Sequence, residues 1–251
     1  MRGWRNWAAA AIAGAAVGVA AAQPPGPPGG VAKAADPLGV MITEAKSAHA
    51  GLRDYACTFT RQERVNGVLG GEQVGELKYR ANPHSVAVRF ARPEAMAGSS
   101  ISYVAGKRLD QAKVRPVGAK GFDRFVLLAL DDPKASLDGL HPITEYGVGA
   151  VIDRVAKAAA TEKALNNPVE VYASEFQFAG RPVTRYEILT RRPHAHRYAY
   201  QMLMFVDNQT KLPVRWEAHD AGRAGAAGDL IEAHSYTDLR PNLGLGEAAF
   251  E

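Results

Sequence analysis

Apolar and polar residues alternate over many short segments of this chain, and a two-residue period is typical of β-strands that bury one face. The first segment alternates Tyr55, Cys57 and Phe59 with smaller residues and then meets Asn66-Gly67. That dipeptide is the strongest short-range indication of a tight hairpin. Similar segments recur along the chain, which predicts a large antiparallel sheet. The predicted strands are residues 55–65, 74–80, 85–91, 100–105, 169–178, 183–189, 198–206, 214–219 and 230–239.

Two segments show the helical period instead, with apolar residues recurring every three or four positions. Asp36-Pro37 is a helix-start signal and predicts an amphipathic helix of about four turns. A second helix is predicted over residues 146–165, and Pro168 follows its end. The apolar run at residues 122–130 indicates either a buried strand or a short helix, because periodicity does not separate the two.

About ten strands with only two substantial helices exceed what a small β-sandwich needs. A strongly curved sheet with a helix in its concavity uses these elements economically. The predicted fold class is therefore mainly β (α+β), with a curved antiparallel sheet that forms an unclosed half-barrel and helices that cover its concave face. The inner face of this sheet is expected to be apolar and only partly covered.

The first 35 residues follow a different pattern. Residues 1–22 join a short basic start, Arg2 and Arg5, to an alanine-rich apolar run that ends in small residues. This arrangement predicts a cleavable signal peptide; a membrane anchor is the alternative, but the run falls short of the ~20 residues of a comfortable span. Residues 23–35, rich in Pro, Gly and Ala, are predicted to be a linker, and residues 36–251 a single domain. The expected location after cleavage is periplasmic or extracellular.

Charge and cysteine content narrow the range of partners. Removal of Arg2 and Arg5 lowers the formal net charge from +4 to +2, and the remaining arginines are scattered among acids. A nucleic-acid partner is therefore not expected, whereas weak, transient contact with an anionic membrane remains open. Cys57 is the only cysteine, so no internal disulfide can form. Its position among the apolar residues of a strand favours a buried small hydrophobe over a reactive thiol.

The chain shows no arrangement that predicts catalysis or metal binding. His194 and His196 would share a strand face, but the remaining histidines look isolated, so both are interpreted as exposed loop residues. Zinc-protease, serine-hydrolase and phosphate-loop motifs are absent from the sequence. Arg61, Glu63 and Arg64 are interpreted as a solvated face of the sheet. We therefore expect no enzyme, no metal and no cofactor. The histidines interpreted as isolated are His84, His141, His219 and His234.

Several motifs in combination carry a family resemblance. They include QERVNG at residues 62–67, PITEYG at residues 142–147 and the spacing D-x-x-x-x-L-P at residues 207–213. The chain resembles, from about residue 38 to residue 251, the bacterial family called domain of unknown function 1571. That family is similar to the periplasmic lipoprotein-carrier (Lol-type) superfamily, whose members hold acyl chains, lipids or lipoproteins on the concave face of an unclosed β-barrel. The resemblance implies this fold and a carrier role, and it implies no catalytic residues.

An apolar concave face is costly to leave in water, at roughly 25 cal/mol per Å². Acyl chains of a lipid or lipoprotein suit such a groove because they need contact area and few hydrogen bonds. The first hypothesis is therefore a non-enzymatic carrier or chaperone whose groove opens when a helix is displaced. The residues predicted to line the groove are Leu77, Tyr79, Val86, Val88, Phe90, Ile101, Tyr103, Met202, Met204 and Val206.

A second hypothesis belongs to another class of protein. Basic segments at residues 61–64 and 191–197 are interpreted as exposed strand edges. A sheet edge or groove of this kind suits a sensory or scaffold module that binds another envelope protein. The two hypotheses differ in whether the bound partner is a lipid or a protein.

Overall fold

The computed structural model describes residues 36–116, 125–137, 139–222 and 227–251. The predicted signal peptide, the linker and residues 122–124 of the ambiguous apolar run lie outside the described residues. In chain order the elements are α1 (Pro37–Ala50), β1 (Asp54–Val65), β2 (Val68–Leu69), β3 (Gln73–Arg80), β4 (Ser85–Arg92), β5 (Ser100–Val104), β6 (Ala112–Arg115), β7 (Val126–Leu128), α2 (Val148–Ala164), β8 (Glu170–Phe178), β9 (Arg181–Leu189), β10 (Gln201–Asp207), β11 (Pro213–Ala221) and β12 (Ala227–Pro241).

The strands form one antiparallel sheet in the order β7-β6-β5-β4-β3-β1-β12-β11-β10-β9-β8, and β2 pairs with β1 off this path. Strands β7 and β8 stand at opposite ends of the order, so the sheet is not closed. Strand β1 lies in its middle, between β3 and β12. The predicted fold class, an unclosed antiparallel half-barrel with few helices, is confirmed.

The hairpin predicted at Asn66-Gly67 is present. Both residues have positive φ, 52° and 81°, which is the geometry of a type I′ turn and suits Asn and Gly. The second strand of this hairpin, β2, has only two residues. The longer partners of β1 are therefore β3, which follows a further turn, and β12, which is distant in sequence. The residues of the Asn66-Gly67 turn do not identify either partner.

Both predicted helices are present, and their ends follow local rules. The Asp36 side chain accepts a hydrogen bond of 2.9 Å from the Gly39 amide, so it caps α1 as predicted. Helix α2 begins two residues later than predicted, because Gly147 precedes it with φ of 110° and interrupts the helical backbone. Beyond its C-terminal end, Asn166 adopts a positive φ of 52°.

The middle of the chain departs most from prediction. Strand β6 was not predicted, and the apolar run contains β7, a three-residue strand at the end of the sheet. Of the two alternatives for this run, the strand was correct. The expectation that this strand is buried was wrong, because Val126 and Leu127 are 41% and 50% exposed. An edge position explains the exposure, since β7 has a sheet neighbour on one side only in the described part of the chain.

The two helices cover one face of the sheet, and the core lies between the helices and that face. Two tyrosines from neighbouring strands hold the start of α2. The Tyr55 hydroxyl accepts a hydrogen bond of 3.0 Å from the Val148 amide, and the Tyr236 hydroxyl donates one of 3.3 Å to the Gly147 carbonyl. Cys57 is buried in this core, as predicted. Other core members are Leu38, Met41, Phe59, Leu77, Val88, Val151, Val155, Met204 and Trp216.

No helix in the described residues is both long and apolar enough to cross a membrane.

Candidate functional site

A charged cluster lies buried in the middle of the covered face of the sheet. Arg61 and Glu63 on β1 stand directly opposite His234 and Glu232 on β12. All four continue the alternation of Phe59 and its neighbours, so the pleat directs them toward the helices. None of the four side chains is more than 6% exposed.

The interpretation of Arg61 and Glu63 as a solvated face was therefore wrong, as was the interpretation of residues 61–64 as a strand edge. Strand β1 is central, and the short 3-10 helix Pro133–Ser136 with the residues after it covers this part of the face. The Arg61 guanidinium donates to the carbonyls of Ser136 and Leu137, at 3.1 and 2.9 Å. The unbroken alternation from Tyr55 to Glu63 was the signal in the sequence that pointed inward.

Glu232 is the central acceptor of the cluster. Its carboxylate lies 2.8 Å from His141 Nε2 and accepts a hydrogen bond of 2.9 Å from the Trp216 indole N–H. The Tyr198 hydroxyl also donates to it, and burial followed by the nearby Glu232 charge keeps the pKa of that hydroxyl well above its usual range. The Arg154 guanidinium of α2 lies 3.6 Å away. Glu232 thus links strands, a loop and a helix.

Glu63 is held in the same way. One of its oxygens lies 2.7 Å from His234 Nε2, and the other accepts a hydrogen bond of 3.0 Å from the Leu140 amide. Burial by itself raises the pKa of Glu63, but the hydrogen bond and charge of His234 and the charge of Arg61 outweigh it, so the pKa is lowered. The pKa of Glu232 is lowered for the same reason: burial opposes the shift, and His141, His234 and Arg154 outweigh it.

The donor atoms of Glu63, Glu232 and His234 lie within 4.8 Å of one another, close enough to share a metal ion. Carboxylates and imidazole are suitable ligands for several divalent metals. However, the guanidinium groups of Arg61 and Arg154 lie 3.7 and 3.6 Å from these same carboxylates. The two arginines already balance the two acids, and a divalent ion would place further positive charge beside them. We therefore interpret the cluster as an ionic network that fixes helix and loop to the sheet.

The histidines do not behave as the sequence analysis expected. His141 and His234 are not isolated, because their rings lie 6.2 Å apart within the cluster. His194 is not an exposed loop residue, since its Nε2 lies 2.8 Å from Glu162 of α2, whereas His196 is exposed. No local pattern joins residues so far apart in sequence. Residues 191–197 form the connection between β9 and β10, not a strand edge.

A cavity of about 1090 Å³ lies along α2 and adjoins the cluster. One wall is the helix itself, and the others come from the end of α1, the β3–β4 connection and the segment before β10. It exceeds the ~300–1,000 Å³ typical of small-molecule sites. The lining residues include Gly149, Ala150, Arg154, Lys157, Ala158, Ala164 and Leu165 of α2 and its end, with His49, Tyr79, His84, His141, His196 and Tyr198.

The residues predicted to line an apolar groove mostly do not face this cavity. Only Tyr79 lines it, with its ring stacked on Tyr55 at 5.0 Å between centroids. The other nine are buried in the packed core beneath the helices: Leu77, Val86, Val88, Phe90, Ile101, Tyr103, Met202, Met204 and Val206. The cavity residues on α2 were not predicted, because the sequence pattern does not separate their weakly apolar face of the helix from the face that packs in the core.

Fold and site together define the class of this protein. It is an unclosed antiparallel half-barrel with helices and a buried charged cluster on its covered face. Residues 52–251 match the family described as a protein of unknown function, DUF1571. The chain belongs to this family, which confirms the resemblance seen in the sequence. No curated protein matches the sequence.

Solved structures of low sequence identity are similar to this chain. The structure of the Pseudomonas aeruginosa MucA/MucB complex aligns with a TM-score of 0.50 and 13% identity, over 85% of this chain and 60% of that chain. The Mycobacterium tuberculosis lipoprotein LppX gives 0.47 and 14%, over 82% and 96%. A LolA superfamily protein from Nitrosomonas europaea gives 0.34 and 8%, over 85% and 97%. At these identities the likeness concerns the fold alone.

Proposed function

We propose that this protein is an exported, non-enzymatic carrier that binds the acyl chains of a lipid or lipoprotein. The observation that carries the proposal is the cavity of about 1090 Å³ beside α2, part of whose wall is apolar: Ala150, Ala158, Ala164 and Leu165. Burial of an acyl chain there contributes up to ~0.8 kcal/mol per methylene, so affinity depends on chain length. The family's similarity to lipoprotein carriers supports the same role.

Two modes of binding follow from the packing. In the first, a chain enters the cavity as it stands. In the second, displacement of α2 opens the covered face of the sheet, where nine of the ten predicted groove residues otherwise form the core. The start of α2 is fixed by Tyr55 and Tyr236, and its middle by the ion pair of Arg154 with Glu232. The first mode requires none of these contacts to break, so the proposal places the chain in the existing cavity.

A pair of matched variants tests this placement. Ala158 lines the cavity, whereas Ala160 lies on the exposed side of the same helix. Ala158→Phe fills part of the cavity and is expected to weaken binding of a fluorescent fatty acid about tenfold or more, ~1.4 kcal/mol. Ala160→Phe makes the same change outside the cavity and is expected to leave affinity unchanged. Equal affinities for the two variants would remove the cavity from the proposal.

Lipid extraction and native mass spectrometry of protein purified from its own cell envelope test the function itself. We expect bound acyl-chain lipid in a fixed ratio to protein. Protein that is consistently free of lipid and does not bind the fluorescent fatty acid would contradict a carrier role.

A second candidate, a module that binds another envelope protein, rests on the end of the sheet. In the described part of the chain no further strand pairs with β7, and Phe125, Val126 and Leu127 there are exposed. An unpaired apolar strand can accept a strand from a partner. The similar MucB structure is itself a complex with MucA. A pull-down that yields one stoichiometric protein partner, lost in Leu127→Lys, together with no lipid, would favour this candidate.

A further inference from the structure

The cavity beside α2 ends between two segments that are joined to each other. At this end its lining includes Ala164 and Leu165, where α2 ends, and His196 of the connection between β9 and β10. His194 of the same connection lies 2.8 Å from Glu162 of α2, whose side chain is only 3% exposed. This buried contact holds the connection against the helix, so the two segments frame one end of the cavity.

The side chains around this end are predominantly basic. Residues 157–165 and 191–197 together contain five basic residues and one acid, the buried Glu162. Arg191 is balanced by Glu170, which lies 2.7 Å away. The other four basic residues are exposed or half-buried, and none of them forms an ion pair with a residue that the structure describes: Lys157, Lys163, Arg192 and Arg197.

The acidic residues that line the cavity lie toward its other end and are themselves paired. Asp153 lies 3.4 Å from Lys46 of α1, and Glu145 lies 3.6 Å from His141 Nδ1. The charge of the lining is therefore balanced at the start of α2. Positive charge without a partner remains where α2 ends.

An exposed apolar residue accompanies these cations. Leu165, directly after α2, is 45% exposed and also lines the cavity. The lining positions of the helix extend from Gly149 to Leu165, about 24 Å at a rise of about 1.5 Å per residue. An acyl chain that enters beside Leu165 can therefore lie along the helix. An anionic bilayer offers the complementary surface, with negative headgroups above hydrocarbon.

We propose that this end of the protein, formed by residues 157–165 and 191–197, docks on the surface of an anionic phospholipid bilayer, from which acyl chains enter the cavity. Exposed basic residues are attracted to such a surface within about a Debye length. The four unpaired cations supply this attraction, and Leu165 adds an apolar contact at the same place. The docking rests on the charge of this surface, whereas the entry of the chain rests on the proposed carrier function.

Cosedimentation with vesicles tests the docking, in protein produced without residues 1–22 so that the predicted signal peptide does not itself bind lipid. The protein is expected to bind vesicles of phosphatidylglycerol and phosphatidylcholine in equal parts at least about tenfold more tightly than vesicles of phosphatidylcholine alone. A rise in salt from about 0.1 M to about 1 M shortens the Debye length from about 10 to about 3 Å and should abolish this preference. Lys163→Gln combined with Arg192→Gln should weaken binding to the anionic vesicles about thirtyfold, which corresponds to ~1 kcal/mol for each charge.

Two further pairs of substitutions control for net charge and for side-chain identity. Arg89→Gln combined with Arg92→Gln removes the same charge from two exposed arginines of β4 and should leave vesicle binding unchanged. Lys163→Arg combined with Arg192→Lys keeps both charges and should bind as the wild-type protein does. All of the substituted side chains are exposed, and a thermal melt checks that each variant is folded.

The outcomes separate this inference from the proposed function. Equal binding to the two kinds of vesicle, or an equal loss in the two glutamine variants, overturns the docking surface while acyl carriage stands. Neither Lys163 nor Arg192 lines the cavity, so their replacement should not change the affinity for the fluorescent fatty acid in high salt. Docking that depends on these two residues in a protein that does not bind the fatty acid overturns the carrier function and leaves the docking surface.

Discussion

Replacement of Glu232 by Gln removes one charge from the centre of the buried cluster and hardly changes side-chain volume. Glu232 is fully buried and accepts hydrogen bonds from Trp216 and Tyr198. The amide group of Gln turns an N–H₂ donor toward some of these donors and no longer balances Arg154, 3.6 Å away. The substitution therefore tests whether the cluster holds the helix and the loop to the sheet.

The expected loss is large for a single substitution. Removal of one partner from a buried ion pair costs about 3–5 kcal/mol, because the other charge is left buried without compensation. A domain of this size is stabilised by about 5–15 kcal/mol in total. Glu232→Gln is thus expected to remove a substantial share of the free energy of unfolding. The midpoint of unfolding should move to a clearly lower denaturant concentration.

Equilibrium unfolding in urea measures this loss. Trp216 is the only tryptophan outside residues 1–22, and its indole is bonded to Glu232, so in protein produced without residues 1–22 its fluorescence reports on the cluster directly. Glu76→Gln is the matched control, because Glu76 is 47% exposed and lies 3.4 Å from both Lys78 and Arg240. Exposed ion pairs contribute about 0–1 kcal/mol. If the two variants lose the same stability within ~1 kcal/mol, the structural role assigned to the cluster is refuted.

Two further outcomes depend on the same region. The pKa values of Glu63 and Glu232 are lowered from 4.5, so their stabilisation is complete above about pH 4.5 and is lost as the pH falls through the folded-state values. Between about pH 4.5 and pH 3 the melting temperatures of wild type and Glu232→Gln should approach each other without meeting, because the folded-state pKa of Glu232 lies below this range; curves that stay parallel would contradict this. Gly147→Ala should cost over ~2 kcal/mol, because φ is 110° and a Cβ would lie 2.5 Å from the Tyr55 hydroxyl. Gly180→Ala, with φ of 74° and open space, should cost less in the same urea titration.

Much of the architecture could be predicted from local patterns. The alternation that begins at Tyr55, the Asn66-Gly67 turn and the Asp36-Pro37 helix start each depend on residues a few positions apart. The physical rules that act there, such as pleat, turn geometry and capping, are properties of short segments. The other strands and both helices were therefore located to within a few residues, but β2 and β6 were not predicted, and the run that contains β7 was left open between strand and helix.

The candidate site could be predicted only in part. The inward direction of Arg61 and Glu63 follows from the alternation of β1, but their charge led to the interpretation of a solvated face. A buried charged side chain is tolerated only where oppositely charged or hydrogen-bonding groups lie next to it. Here those groups come from distant parts of the chain, so the residues adjacent in sequence do not reveal them. The apolar residues of the sheet, by contrast, were expected to line a groove. In the structure, nine of the ten predicted groove residues belong to the packed core instead.

The sequence by itself determined the segments, their periods and the antiparallel half-barrel that they favour, because those preferences act between near neighbours. Only the tertiary structure brought Glu63 to His234 across 171 positions, and Arg154 of α2 to Glu232. The cavity likewise exists only after α1, α2 and the sheet have packed. Charge balance, burial and empty volume depend on long-range packing, and no short segment of the chain contains that information.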